Sequence, residues 1–206
     1  MKHMEIEYKW QANTPRAFSR AKQVLAKLCG AVTEKKLHIQ DTYLDDNLRR
    51  LSQKRIALRV RCTDGKWEAT YKTRTQLKNG KAVRKEHTIL LPHCTTSAQA
   101  ISQLQRKKKW QGLDVSNVQP QFTITNLRTV FQFSFDGAEL ELALDNVRLH
   151  VCGRQVLFKE IELELKRASS KSLDRFARAF EQQTKLKRAN FSKVKTAETL
   201  LQWWKK

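Results

Sequence analysis

The segment Glu160-Ile161-Glu162-Leu163-Glu164-Leu165-Lys166 constrains this chain more than any other. Its apolar residues alternate with period two, the mark of a strand that buries one face. The other face carries three carboxylates at i, i+2 and i+4, roughly 7 Å apart in succession. They repel one another unless cations stand among them. The same charged alternation recurs in Glu5-Ile6-Glu7-Tyr8-Lys9-Trp10, in Leu58-Arg59-Val60-Arg61-Cys62 and from Glu139 through Glu141 to Asp145. Weaker alternation at 68–73, 84–90 and 128–135 adds Glu68, Thr70, Lys72, Arg84, Glu86 and Arg128. An ordinary half-buried strand sets no such demand on its polar face.

Turn signals separate these strands at Asp64-Gly65, Asn79-Gly80, Asp136-Gly137 and Cys152-Gly153, which predicts antiparallel hairpins. Helical spacing appears where Thr14-Pro15 offers a cap and a first-turn proline. Phe18, Ala21, Leu25 and Leu28 then share a face up to Gly30. Leu173, Phe176, Ala177 and Phe180 do the same after Ser170. A shorter helix is expected from Ser97 to the basic run at 106–109, and a last one from Ser192 to Trp203-Trp204. With no repeat or linker, the reading is one α+β domain over 1–206.

A closed antiparallel barrel satisfies both charge sets by turning them inward and packing its apolar exterior against helices. Carboxylates suit Mg²⁺ or Mn²⁺, and Arg and Lys clamp phosphate oxygens. A lone E-x-E strand is more often a solvated face. Acidic strands at both ends of the chain with basic strands between them argue against that reading here. The 206 residues carry 41 Lys+Arg against 20 Asp+Glu, a net charge of +21, so an anionic partner is expected. The 40% hydrophobic content suffices for a core and excludes disorder. No apolar run is long enough to span a bilayer, and charge follows Met1-Lys2-His3-Met4 at once. A cytoplasmic protein without membrane contact is expected. Cys29, Cys62, Cys94 and Cys152 lie far apart and read as reduced thiols. The five histidines show no metal-ligand spacing.

Taken in order, these segments resemble the CYTH superfamily, the triphosphate tunnel metalloenzymes. Glu5-x-Glu7-x-Lys9 is similar to the family's N-terminal signature, and Ala57-Leu58-Arg59-Val60-Arg61 to its basic strand. The likeness continues through Asp41-Thr42-Tyr43-Leu44-Asp45, Trp67-Glu68-Ala69-Thr70-Tyr71-Lys72, Arg84-Lys85-Glu86, Leu142-Ala143-Leu144-Asp145, the glutamates at 160–165 and Ser192-Lys193. Gln119-Pro120-Gln121-Phe122, and the spacing from Asp136-Gly137 to those glutamates, are similar to the CYTH domain of enterobacterial-type inorganic triphosphatases. Such proteins carry a further helical CHAD domain. This chain is expected to lack it, with 1–3 an added leader ahead of Met4. Tyr71 departs from the aliphatic residue common at its position, and by alternation it faces outward.

The resemblance implies a closed eight-stranded antiparallel tunnel, helices outside, that binds a linear triphosphate with Mg²⁺ or Mn²⁺ and hydrolyses one anhydride bond. It implies metal ligation by Glu5, Glu7, Glu160 and Glu162, joined by Asp145. Glu164, Asp145 and Glu141 become ligands or orienters of the attacking water, so Glu5, Glu7, Glu162, Glu164 and Asp145 form the catalytic set. Arg59, Arg61, Lys72, Arg84, Arg128 and Lys193 grip phosphates, while Lys9, also counted toward substrate, and Glu86 organise the wall. The expected reaction is tripolyphosphate to diphosphate and orthophosphate. Class IV adenylate cyclases, thiamine or nucleoside triphosphatases, polyphosphatases and RNA 5′-triphosphatases share the tunnel, and a cyclase would need a nucleoside pocket. A polyphosphate- or RNA-binding module without turnover is the competing class, motivated by basic runs at 107–109, 185–188 and 205–206. A monomer or homodimer fits either.

Overall fold

A computed structural model describes residues 2–78, 81–189 and 192–204. The Asn79-Gly80 turn and the Lys205-Lys206 pair lie outside the described residues. The elements are β1 (Lys2–Gln11), α1 (Ala17–Leu28), β2 (Val32–Asp45), α2 (Arg50–Gln53), β3 (Ala57–Thr63), β4 (Lys66–Lys72), β5 (Gln76–Lys78) and β6 (Lys81–Leu90). They continue with α3 (Ser97–Gln105), β7 (Lys109–Trp110), β8 (Leu113–Asp114), β9 (Gln119–Phe135), β10 (Ala138–Val151), β11 (Arg154–Arg167), α4 (Ser170–Thr184) and α5 (Lys193–Trp204).

Eight strands run in the order β1-β11-β10-β9-β2-β3-β4-β6, and pairing of β1 with β6 closes the barrel. Closure removes the free edges that an open sheet exposes. Three expected turns join β3 to β4, β9 to β10 and β10 to β11. Asp64, Asp136 and Cys152 (φ 48, 51 and 48°) precede Gly65, Gly137 and Gly153 (φ 83, 72 and 73°), the positive-φ pair of a type I′ hairpin.

Outward-facing apolar rows make two shells. Tyr8, Trp10, Phe133, Leu142, Ile161 and Leu163 pack under α1 and α4, meeting Ala21, Leu25, Leu173, Phe176 and Phe180. Trp10 is fully buried, 5.0 Å from the Phe180 ring, and its Nε1 donates to Glu181 at 2.8 Å, so the indole leaves no polar atom unpaired. On the opposite side α3 and the β7–β8 hairpin cover Val60, Trp67 and Ala69 with Ala100, Leu104 and Trp110. Tyr71 faces this shell, as alternation predicts, stacking on His87 at 5.4 Å. Helix α5 differs from the others. Its Ala197 and Leu201 pack with Tyr43 and Ile124, which belong to inward-facing rows, so α5 fills one end of the barrel.

Several expectations need correction. Helix α1 begins at Ala17 rather than at Thr14-Pro15; Arg16 is its N-cap and makes no side-chain cap bond, while the Thr14 carbonyl accepts from Ala17 in a preceding turn. The basic run does not extend α3 to 109, because Lys109 opens β7. Strand β9 starts nine residues ahead of Arg128, with Pro120 beside a register shift against Tyr43 and Leu44. At the end of α5, Trp204 packs against the same cluster as Tyr43 and Ile124, while Trp203 is 67% exposed. The four cysteines are free thiols, and among the described residues no helix is long and apolar enough to cross a membrane.

Candidate active site

Cross-strand register, more than the content of any one strand, assembles the interior. Directly opposed residues include Glu5 with Arg84, Lys9 with Glu162, Asp41 with Arg61, Lys72 with Glu86, and Asp145 with both Arg128 and Glu160. Opposite charges in cross-strand positions attract, whereas the like charges along each strand repel. Cross-strand register thus neutralises much of this charge, but it also sets carboxylates face to face at Asp145–Glu160, Glu7–Glu164 and Glu141–Glu164. The result is a cavity of about 420 Å³. Glu5, Glu7, Lys9, Arg59, Arg61, Lys72 and Arg84 line it from β1, β3, β4 and β6. Glu86, Arg128, Glu141, Glu162, Glu164 and Lys193 line it from β6, β9, β10, β11 and α5. Asp145 and Glu160 lie buried in the wall behind Lys193. Glu7, Glu162 and Arg59 thus share one enclosed channel.

The deepest group is acidic. Single oxygens of Asp145, Glu160 and Glu162 all lie within 4.8 Å of one another, a spacing that could hold a metal ion. Glu5 and Glu7 are not in this trio. Lys193, delivered by the N-terminus of α5, places Nζ 2.8 Å from Asp145 Oδ2 and 2.9 Å from Glu162 Oε1, and it also contacts Glu160 Oε1. Ser192 accepts from the Lys195 amide at 3.1 Å and fixes the start of that helix. Lys9 donates to Glu162 Oε1, and Arg128 forks between Asp145 (2.7 and 2.6 Å) and Glu162. Burial pushes the Glu162 carboxyl up, but Lys193, Lys9 and Arg128 outweigh it and hold the group well below its usual range. For Glu160, burial wins over Lys193 and Lys9, and the group is pushed up to about 7. Its Oε2 is buried without a hydrogen-bond partner.

A second group surrounds Glu5. Lys72 Nζ lies 2.8 Å from Glu5 and from Glu86, while Arg84 contacts Glu5 and reaches Glu7 at 3.1 Å. Burial opposes ionisation of Glu5, and these two cations overcome it. A third group centres on Asp41, which accepts both forks of Arg61 at 2.6 and 2.8 Å. Burial raises the Asp41 carboxyl, yet Arg59 and Arg61 bring it down to about 2. Arg59 Nε sits 3.5 Å from Asp41 Oδ1, too far for a hydrogen bond, and is buried without an acceptor. At the mouth, Lys166 lies 3.4 Å from Glu141 and 3.1 Å from Glu164. Glu139, on the same polar face, turns out to the rim, 58% exposed beside Arg167, where the register with β11 shifts.

Sequence reasoning gave Asp41 no role, and it did not reach Lys35, Asn126 or Gln132, which also line the cavity. Asp45, from the same motif as Asp41, faces away; it accepts from the Leu51 and Ser52 amides and caps α2.

A CYTH domain model matches residues 3–197. The chain belongs to the CYTH family. This CYTH chain is 28% identical over 169 residues to the inorganic triphosphatase of Haemophilus influenzae, matching 82% of its own length and 47% of that protein. It therefore spans about half the length of the curated relative it matches. Among solved structures, it is similar at TM-score 0.69 and 19% identity to a Hippeastrum protein described as an adenylyl cyclase candidate with a dominant triphosphatase activity, each chain covered to 95%. A Pyrococcus horikoshii protein matches at TM-score 0.65 and 16% identity, covering 95% of this chain and 99% of that one. The mimivirus capping-enzyme triphosphatase matches at 0.53 and 11%, covering 88% and 90%. These structures share the closed eight-stranded barrel.

Proposed function

We propose that this chain hydrolyses inorganic triphosphate to diphosphate and orthophosphate inside the barrel, with Mg²⁺ or Mn²⁺. One observation carries the reading. Arg59 Nε, a buried cationic donor without an acceptor, lines the lumen, and Glu160 Oε2, a buried carboxyl oxygen without a hydrogen-bond partner, lies in the wall behind it. Such atoms are costly unless a ligand completes them. A phosphate oxygen completes the first and a cation the second, so one ligand bearing both satisfies the pair.

The donor set fits a hard divalent ion, since Asp145, Glu160 and Glu162 offer only oxygens at suitable spacing. When bound, such an ion neutralises phosphate charge and lowers the pKa of a coordinated water. Arg59, Arg61, Lys72 and Arg84 bind the phosphates from one side of the lumen, and Arg128 and Lys193 from the other. Positioning and charge neutralisation are most of the work in phosphoryl transfer. Water adds its oxygen to the terminal phosphorus, the bridging oxygen leaves with the diphosphate, and one water proton passes to solvent. Glu5 and Glu7 act chiefly by holding Lys72 and Arg84 in place. Glu164 and Glu141 orient solvent at the mouth.

The test is orthophosphate release from tripolyphosphate, ATP and thiamine triphosphate, with and without each metal. Metal-dependent release, fastest with tripolyphosphate, is expected. Cyclic AMP plus pyrophosphate from ATP, or binding without release, would overturn the assignment.

A further inference from the structure

Among the described residues, nine cationic side chains line the lumen and face ten carboxyl groups in the cavity and the wall behind it, a formal net charge of −1 inside. The lumen therefore carries none of the chain's net charge of +21. On the α1/α4 layer its placement works against the helices that carry it. Arg16 caps the N-terminus of α1 and Lys171 stands in the first turn of α4, both at positive dipole ends, and neither helix has an acidic residue in its first turn. The acids of this layer are already engaged: Asp174 by Lys81 at 2.9 Å, and Glu181 by Arg188. Arg16, Lys27, Lys171 and Arg178 are exposed, with no carboxylate partner among the described residues.

Topology sets this layer beside the lumen's entrance. Helix α5 occupies the end marked by Tyr43 and Ile124, so the mouth is the end where Glu141, Glu164 and Lys166 line the cavity. The start of β2, the Asp136-Gly137 turn and the Glu139–Arg167 pairing all lie at that end. The C-terminus of α1, with Lys27, and the N-terminus of α4, with Lys171, flank it. The large exposed apolar side chains lie elsewhere, Trp203 among them, so the layer offers no aromatic platform on which bases stack.

We propose that the α1/α4 face is a landing surface for a base-free polyanion, long-chain polyphosphate, whose end reaches the adjacent mouth. The identity of that chain rests on the function proposed above; its contact with the face does not. Binding of long-chain polyphosphate is measured across a salt series, with chelator present so that nothing turns over. Replacing four cations (Arg16→Gln, Lys27→Gln, Lys171→Gln, Arg178→Gln) is expected to lower the slope of log affinity against log salt by about 3 and weaken binding about tenfold or more. Tripolyphosphate kcat and KM and the melting temperature stay at wild-type values. Polyphosphate is also expected to shield Lys27 and Lys171 of the unaltered protein from acetylation. An unchanged slope, or absent shielding, overturns the proposal. So does single-stranded RNA that binds more tightly and loses affinity through the same four changes. Failure of the wild type to release orthophosphate from tripolyphosphate counts against the lumen chemistry alone and leaves these binding outcomes intact.

Discussion

Lys193→Met tests whether the acidic trio depends on a resident cation. The substitution keeps the stem's bulk and removes the ammonium that contacts Asp145, Glu160 and Glu162. At an effective dielectric of 20, each contact near 2.9 Å is worth about 6 kcal/mol of gross attraction. Desolvation offsets most of that, and removing one partner of a buried charge group costs about 3–5 kcal/mol net. Lys9 and Arg128 remain, so the lower part of that range is expected. In a domain of this size the melting point should fall by about 6–12 °C. Divalent cation at a hundredfold over its dissociation constant returns about 2.7 kcal/mol. It should rescue the variant more than it stabilises the wild type, where it competes with the ammonium. The assay is thermal unfolding of both proteins over a series of Mg²⁺ and Mn²⁺ concentrations, with chelator as zero. A variant that melts with the wild type throughout would show that these carboxylates are not held as a charged cluster, and the metal reading would fall with it.

Glu162→Ala should abolish turnover while circular dichroism still reports a folded barrel; retained metal-dependent activity counts against its role. Arg59→Met should raise KM and lower kcat together, since its Nε has no acceptor except through substrate; an effect on KM alone would mean uniform binding. Asp41 gives a pH prediction. Its folded pKa of about 2 lies below the ordinary carboxylate value, so its contribution, about 2 kcal/mol, is whole above roughly pH 4 and fades as pH falls toward 2. Asp41→Asn should lower stability at neutral pH and flatten that part of the acid limb. An unaltered acid limb would place Asp41's partners elsewhere.

Alternation in β1, β3 and β11 was legible because apolar residues face outward under helices while charges face in. Strand β2 escaped notice because its polarity is inverted over its first half. Glu34, Lys36, His38 and Gln40 point to solvent, while Leu37 and Ile39 line the lumen between Lys35 and Asp41. Those outward positions are exposed, and Glu34 meets α1 through an ion pair with Lys22 at 3.3 Å, so nothing requires the face to be apolar. Asp41 was hidden with the strand that carries it. Grouping was less legible than membership. A sequence shows that Glu5, Glu7, Glu160 and Glu162 face inward, but cross-strand register decides that Glu5 meets Lys72 and Arg84 while Glu160 and Glu162 meet Asp145. The start of α1 was misplaced because Thr14-Pro15 carries the local signals of a cap but forms a separate turn.

Strand β1 is stitched between β6 and β11, so during synthesis it completes its hydrogen bonds only after residue 164 has emerged. Until then the outward Tyr8 and Trp10, and a row of charge meant for an interior, remain without a home. Pairings of such long sequence separation form slowly. Assembly should end with a single late zippering event, and shortening or mutating β11 should leave the N-terminal strand as the part of the nascent protein most exposed to capture by chaperones.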